Sequence, residues 1–191
     1  MARVFGNAAA LTAAALALFL APRVSGYADS APAGFSGGFG EQSCHACHFH
    51  EDLNSGPGRV TISGVPEQFA PGERYAVTVT LARAGMKLAG FQLTARFKEG
   101  GGQAGTLAPA PGEEERVGID ASGAVQYANQ SRKGTALTDA STAVWKLLWT
   151  APRADGPVVF HVAANAANGD DTVEGDFVHT DSVESSPGPS R

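Results

Sequence analysis

The chain has 191 residues, of which 43% are hydrophobic and 17% charged, and its 14 basic and 19 acidic residues give a formal net charge of −5. An acidic balance of this kind argues against nucleic acid and anionic lipid as partners, because both repel negative charge. The 24 glycines and 11 prolines favour a single β-domain with many turns over a helical bundle.

Residues 1–26 have the form of a secretory signal peptide. Arg3 is followed by an apolar segment, residues 8–21, and then by Pro22 and small residues. The apolar segment is shorter than the ~20 residues that a membrane-spanning helix needs, so we expect cleavage, at Gly26 or Ala28, and a periplasmic or secreted protein. No membrane span is expected in the mature chain, whose formal net charge becomes −7 because two arginines are lost.

Residues 27–58 are predicted to form an irregular leader that contains both cysteines of the chain. Its many glycines and the lack of a repeating apolar pattern argue against a regular helix or strand. The leader carries the pattern C-x-x-C-H at residues 44–48. Because the two cysteines are only three positions apart, they form a local motif and not a disulfide framework that joins distant strands.

The C-x-x-C-H pattern is typical of a c-type haem attachment site. Two thiols one helical turn apart can add to the two vinyl groups of one haem, and the adjacent histidine is then held against the iron. We therefore expect Cys44, Cys47 and His48 to bind haem c, with His48 as the iron ligand. Two other interpretations stay open: a Cys44–Cys47 disulfide, and a zinc or copper site built from both cysteines and two of His45, His48 and His50.

Residues 59–181 are predicted to form one β-sandwich, because short segments of alternating apolar and polar residues recur there between turns. The clearest strand is 75–81, and the next, 91–97, is expected to have one solvent-exposed face and to pair with it antiparallel. The predicted strands are 59–62, 75–81, 91–97, 105–107, 117–119, 124–127, 144–150, 158–164 and 177–183.

Aromatic and branched side chains on one face of two late strands are expected to fill the core. They are Trp145, Leu147 and Trp149 on the first strand and Val158, Phe160 and Val162 on the second.

The sixth iron position has three candidate ligands, His161, His179 and Met86. His45 and His50 are too close to His48 in the chain to reach the opposite face of a haem. On the strand alternation, His161 lies on the face opposite to the core, where a histidine is more often a surface residue. An open sixth position is a further alternative.

Oxygen-bearing side chains cluster between residues 165 and 176: Asn165, Asn168, Asp170, Asp171, Glu174 and Asp176. Calcium uses ligands of this kind, but the spacing is not that of an EF-hand loop. Tight turns are built from the same residues, so a turn is the favoured interpretation. The acids would repel one another without a bound cation, so a calcium site stays an alternative. The last residues, 182–191, are polar and predicted to be a disordered tail.

Five stretches together resemble the bacterial reelin-domain-like family known as choice-of-anchor V domain proteins. They are CHACH at 44–48, PGERYAVTV at 71–79, GFQLTA at 90–95, WTAP at 149–152 and ANAANG at 164–169. The resemblance covers about residues 34–180. It implies an all-β, immunoglobulin-like (reelin-domain-like) β-sandwich on an exported protein, with the C-x-x-C-H motif near its start. It implies no settled activity, because fold alone does not give function.

The chain departs from that family in two places. Members often carry a C-terminal membrane or sorting anchor, which is not found here. They also often have a histidine shortly after the tyrosine that matches Tyr127, where this chain has Ala128, Asn129 and Gln130.

The leading hypothesis is an exported monohaem c-type protein that transfers electrons to a redox partner protein or senses redox state. The alternative is a non-catalytic, reelin-like binding or adhesion module for a surface polymer or a protein, with Cys44 and Cys47 joined in a disulfide. No recognisable catalytic arrangement of side chains occurs in the sequence, so an electron carrier or binding domain is favoured over an enzyme.

Overall fold

A computed structural model describes residues 27, 29–154 and 156–189. The predicted signal peptide, residues 1–26, lies outside the described residues, and so do both candidate cleavage positions, Gly26 and Ala28. Within the described ranges, no helix is long and apolar enough to cross a membrane.

The described chain folds as two β-sheets packed face to face. The first sheet has four strands in the order β1-β3-β8-β5, and the second has six in the order β2-β10-β9-β4-β7-β6. The strands are β1 Arg59–Ser63, β2 Gln68–Phe69, β3 Arg74–Ala82, β4 Leu88–Phe97, β5 Thr106–Pro109, β6 Val117–Asp120, β7 Tyr127–Gln130, β8 Thr142–Thr150, β9 Val158–Ala167 and β10 Phe177–Pro187. Short 3-10 helices occur at Cys44–Ala46 and Lys133–Thr135. The predicted all-β sandwich is confirmed.

The core lies between the two sheets and is built from the predicted aromatic faces. Trp145 and Trp149 on β8 are fully buried, as is Phe160 on β9. The ring of Trp145 stacks on Phe91 of the second sheet at 4.5 Å between centroids, and Trp149 meets Phe160 edge-on at 4.9 Å. Each indole N–H donates to a backbone carbonyl, so these tryptophans bury their rings without an unpaired polar group.

The prediction that strands 75–81 and 91–97 pair with each other is wrong. β3 pairs with β1 and β8 in the first sheet, whereas β4 pairs with β7 and β9 in the second. The connection at residues 83–87 therefore crosses from one sheet to the other. An alternating pattern specifies which face of a strand is buried but not which strand lies beside it, and this explains the error.

The prediction that β4 has one solvent-exposed face is also wrong. Gln92 and Thr94 on that face are fully buried. The leader covers Gln92: its side-chain amide donates to the carbonyl of Pro32 at 2.7 Å, and the backbone N–H of Phe35 donates to its side-chain oxygen at 2.5 Å. The hydroxyl of Thr94 donates to the carbonyl of Gln126 at 3.0 Å. The leader thus lies on the outer face of the second sheet and supplies the hydrogen bonds that water was expected to make.

The predicted disordered tail, residues 182–191, is wrong for residues 182–187. β10 continues to Pro187, pairs antiparallel with β9 as far as Ser185, and then pairs parallel with β2 at Ser186. The hydroxyl of Ser185 is buried and donates to the carbonyl of Pro66 at 2.6 Å. The polar composition hid this strand, because backbone pairing with neighbours, and not apolar side chains, holds it in place.

Candidate functional site

The C-x-x-C-H motif forms a single tight turn on the outer side of the second sheet. The hydroxyl of Ser43 caps the turn by accepting from the backbone N–H of His45 at 3.2 Å. The N–H groups of Cys47 and His48 both donate to the carbonyl of Cys44, at 3.2 and 3.0 Å. The two cysteines are therefore one helical turn apart, as the predicted haem chemistry requires.

The two cysteines are partly exposed and are not joined in a disulfide. Burial of the thiol, opposed by a backbone hydrogen bond and reinforced by the nearby Cys47, raises the pKa of Cys44 to about 12. Burial of this thiol therefore disfavours its thiolate, which is the reactive form of a cysteine.

A cluster centred on Glu41 fixes the leader just before the motif. The Glu41 carboxylate accepts from the guanidinium of Arg96, from the hydroxyl of Tyr127 and, at 2.9 Å, from the hydroxyl of Ser36. Arg96 also stacks over the ring of Phe39 at 4.4 Å. We call Ser36, Glu41, Arg96 and Tyr127 the Glu41 cluster. It ties the leader to β4 and β7, three residues ahead of Cys44.

The motif histidine is held by a buried carboxylate. Nδ1 of His48 lies 2.7 Å from Oδ2 of Asp176, and the two form what we call the His48–Asp176 pair. Asp176 is only 2% exposed, and it also accepts from the side chain of Asn165 at 3.2 Å and from the backbone N–H of Asn168 at 3.1 Å. Nε2 of His48 makes no hydrogen bond with any residue that the structure describes.

Two large apolar side chains lie exposed just after the motif, beside a shallow cleft. Phe49 is 60% exposed and Leu53 is 42% exposed. A cleft of about 300 Å³ opens next to the motif, lined in part by His45, Leu53 and Thr180. This volume is at the lower limit of ordinary ligand pockets, roughly 300 to 1,000 Å³. A large planar group attached here would rest mostly on the surface.

These residues fit covalent haem attachment. Two reduced thiols one turn apart, followed by an imidazole whose Nε2 is unbonded, are the donor set that a c-type haem uses. Cys44 and Cys47 would hold the group and His48 would bind its iron.

The geometry does not assemble the zinc or copper site that the histidines suggested. Nε2 of His45 lies 2.9 Å from the backbone carbonyl of Glu51, and Nδ1 of His50 lies 3.3 Å from the Glu51 carboxylate. Among the described residues, no group of three or more His, Cys, Asp or Glu side chains is placed to hold a metal ion.

The acidic cluster is organised as a turn. Asp170 accepts from the N–H and the hydroxyl of Thr172, and these hydrogen bonds lower its pKa. Asp171 adopts a left-handed backbone with φ 61°, while Asp176 is turned inward to His48. The favoured interpretation of this segment as a turn thus agrees with the local hydrogen bonds of Asp170.

The three candidates for the sixth iron ligand lie in different places. His179 pairs with Ala164 on the inner face of the second sheet, and Met86 packs in the core, so each is on the opposite side of that sheet from the motif. His161 is on the outer face, but the leader covers it: its ring meets Phe39 edge-on at 5.2 Å. Burial lowers the pKa of both His161 and His179.

Sequence reasoning missed the partners of the site. Asp176 was grouped with the acidic turn, and it is 128 residues from His48 in the chain, so no local pattern could connect them. Glu41 gave no signal either. Gln130 has a structural role: its side chain accepts from the N–H of Phe91 and donates to the carbonyl of Tyr27.

No protein-family model matches the chain, and no curated protein matches it either. Among solved structures, the reelin-N domain of F-spondin has a TM-score of 0.48 at 17% identity, over 73% of this chain and 93% of that one. The human F-spondin reeler domain has a TM-score of 0.46 at 19% identity, over 70% and 92%. A cohesin module from a Clostridium perfringens glycoside hydrolase has 0.45 at 13% identity, over 68% and 96%. All three likenesses concern the arrangement of strands.

Proposed function

We propose that the protein is an exported monohaem c-type protein that acts in electron transfer or redox sensing. Cys44 and Cys47 would carry the haem, and Nε2 of His48 would bind its iron. The observation that supports this most directly is the His48–Asp176 pair, which uses Nδ1 and leaves Nε2 unbonded beside two free thiols. A bound haem would supply one-electron exchange.

The rest of the protein would serve this site as a rigid support. The Glu41 cluster holds the leader on the second sheet, and the groups behind His48 come from β9 and from Asp176, the residue just before β10. Phe49 and Leu53 offer apolar surface that a hydrophobic group would shield from water. Because the cleft is small, an edge of the group would stay exposed, which suits exchange with a redox partner protein.

The test is to export the chain from a host that has the c-type maturation system, and to record its intact mass and pyridine haemochrome spectrum. We expect a covalent haem adduct with a c-type spectrum. A Cys44→Ser/Cys47→Ser double variant is the matched control and should carry none. His48→Ala should alter the haem spectrum. A bare wild-type chain from a host that matures other c-type proteins would rule the proposal out.

A second candidate is an exported, non-catalytic binding module with a Cys44–Cys47 disulfide. What supports it is the sandwich architecture together with the exposed apolar side chains of Phe49 and Leu53. Exposed apolar surface of this kind marks interaction sites. The same mass measurement separates the candidates, because a chain two hydrogens lighter than the reduced form indicates the disulfide. The ligand would then be a surface polymer or a protein.

A further inference from the structure

We infer that Asp176 is a positioning residue for His48, which fixes the ring with its proton on Nδ1 and its lone pair on Nε2 and strengthens that nitrogen as an iron ligand. This inference rests on the proposed function where it concerns iron. The part that concerns the ring of His48 stands on the geometry of the pair alone.

The first step is the burial of the carboxylate. A buried acid is costly unless hydrogen bonds compensate it. Asp176, at 2% exposure, is compensated from three directions: Oδ2 accepts from His48 and Asn165, and Oδ1 accepts from the backbone of Asn168. The two asparagines hold the carboxylate independently of His48, so the acid is a fixed acceptor for the ring.

The second step concerns which ring nitrogen of His48 carries the proton. The side-chain amide of Asn165 lies 3.1 Å from Nδ1 of His48 and can only donate through its nitrogen, while the Asp176 carboxylate lies nearer, at 2.7 Å. An ionised carboxylate can only accept, so the shorter contact requires the proton to lie on Nδ1, and the amide donates to the same carboxylate. With Nδ1 as the donor to Asp176, the neutral ring carries its lone pair on Nε2, a nitrogen that metals bind.

The third step is the effect on a bound metal. A carboxylate that accepts from the far nitrogen of a ligating imidazole fixes its orientation and raises its basicity. A more basic ligand stabilises the oxidised iron relative to the reduced iron. We therefore expect Asp176 to lower the reduction potential of the haem.

The experiment compares Asp176→Asn with Asp171→Asn in the haem-loaded protein. Asp171 lies in the same turn, is exposed and is not among the hydrogen-bond partners of His48. Its variant removes the same charge and is therefore the matched control. Asp176→Asn should shift the ratio of oxidised to reduced haem at a fixed potential about tenfold toward the reduced form, a rise of about 59 mV for a one-electron couple. Its iron–histidine stretching band in resonance Raman spectra should move to lower frequency. Asp171→Asn should leave both near the wild-type values.

A second measurement needs no haem. Nitrogen NMR of the His48 ring in the reduced, haem-free chain at about pH 8, where histidines are ordinarily neutral, should show the proton on Nδ1, and Asp176→Ala should lose that preference. A ring protonated on Nε2 in the wild type overturns the inference whether or not haem attaches. If haem attaches but Asp176→Asn and Asp171→Asn have equal potentials, the inference fails while the proposed function stands.

Discussion

At the scale of single residues, Tyr127 shows how the leader depends on one buried hydroxyl. Its O–H donates to Glu41, and burial, reinforced by that carboxylate, raises the pKa of Tyr127 to about 12. A tyrosine in an unfolded chain has a pKa of about 10. The folded protein therefore holds this proton more tightly, and the stabilisation is complete below about pH 10 and is lost as the pH rises through about 12.

Tyr127→Phe should remove this dependence. At neutral pH we expect the variant to lose about 1.5 to 3 kcal/mol of unfolding free energy, because the hydrogen bond to a charged partner is gone. Between about pH 10 and pH 12 the wild type should lose stability faster than the variant. Urea denaturation across that range measures both effects. The control is Tyr27→Phe, since Tyr27 is 56% exposed; a wild-type slope that persists in Tyr127→Phe would contradict the assignment.

At the scale of elements, the leader is held where Gly38 meets β9. A Cβ at this position would lie 2.2 Å from Cγ of His161. Gly38→Ala should therefore push the leader away from the sheet, so that the backbone N–H of Phe35, which donates to Gln92, exchanges its hydrogen faster. Gly102→Ala is the control, because its Cβ would meet nothing within 4 Å. Unchanged exchange at Phe35 would show that the leader is not fixed here.

A separate prediction concerns the end of β10, which extends beyond the strand predicted from the sequence. Ser185→Ala removes the buried hydrogen bond to Pro66 and leaves that carbonyl without this donor. The free energy of unfolding should fall by about 1 to 3 kcal/mol. Ser182→Ala, on the same strand but exposed, should change it by less than about 0.5 kcal/mol. Equal values for both variants in urea denaturation would mean that the end of β10 contributes nothing to the fold.

How much of these elements the sequence could predict differs from one to the next. The alternation of apolar and polar residues predicted β3, β4, β8 and β9, because these strands are long enough for the alternation to be recognised. β2 has only two residues and no period at all. The covered face of β4 was unpredictable for another reason: Gln92 is polar, and its partners in the leader are distant in sequence, 57 residues away at Phe35.

At the scale of the whole molecule, aromatic rings pack between the two sheets, and one substitution should test how much this packing stabilises the fold. Trp145 is fully buried against Phe91 of the other sheet. Trp145→Ala should cost about 3 to 5 kcal/mol of unfolding free energy, a large part of the roughly 5 to 15 kcal/mol that such a domain has. Thermal unfolding followed by circular dichroism measures the loss. Lys146→Ala, one residue along and exposed, should leave the midpoint nearly unchanged.

The candidate site combines residues that are close together in the sequence with residues that are far apart in it. Cys44, Cys47 and His48 lie close together in the chain, so their spacing alone is enough to predict a haem attachment site. Asp176 and Asn165 meet His48 only when β9 and β10 are in place, and sequence reasoning assigned them to turns or cations. Side chains that complete a site through the fold leave no trace in local spacing.

The separation of 128 residues between His48 and Asp176 also sets an order in time. If the chain is exported N-terminus first, as proposed, the thiols and the imidazole would emerge while the carboxylate that holds the imidazole is still on the other side of the membrane. During that interval the motif would be an open peptide, accessible to an enzyme that modifies it. The contact between His48 and Asp176 would close only afterwards, because contacts between residues far apart in the chain cannot form until both have emerged.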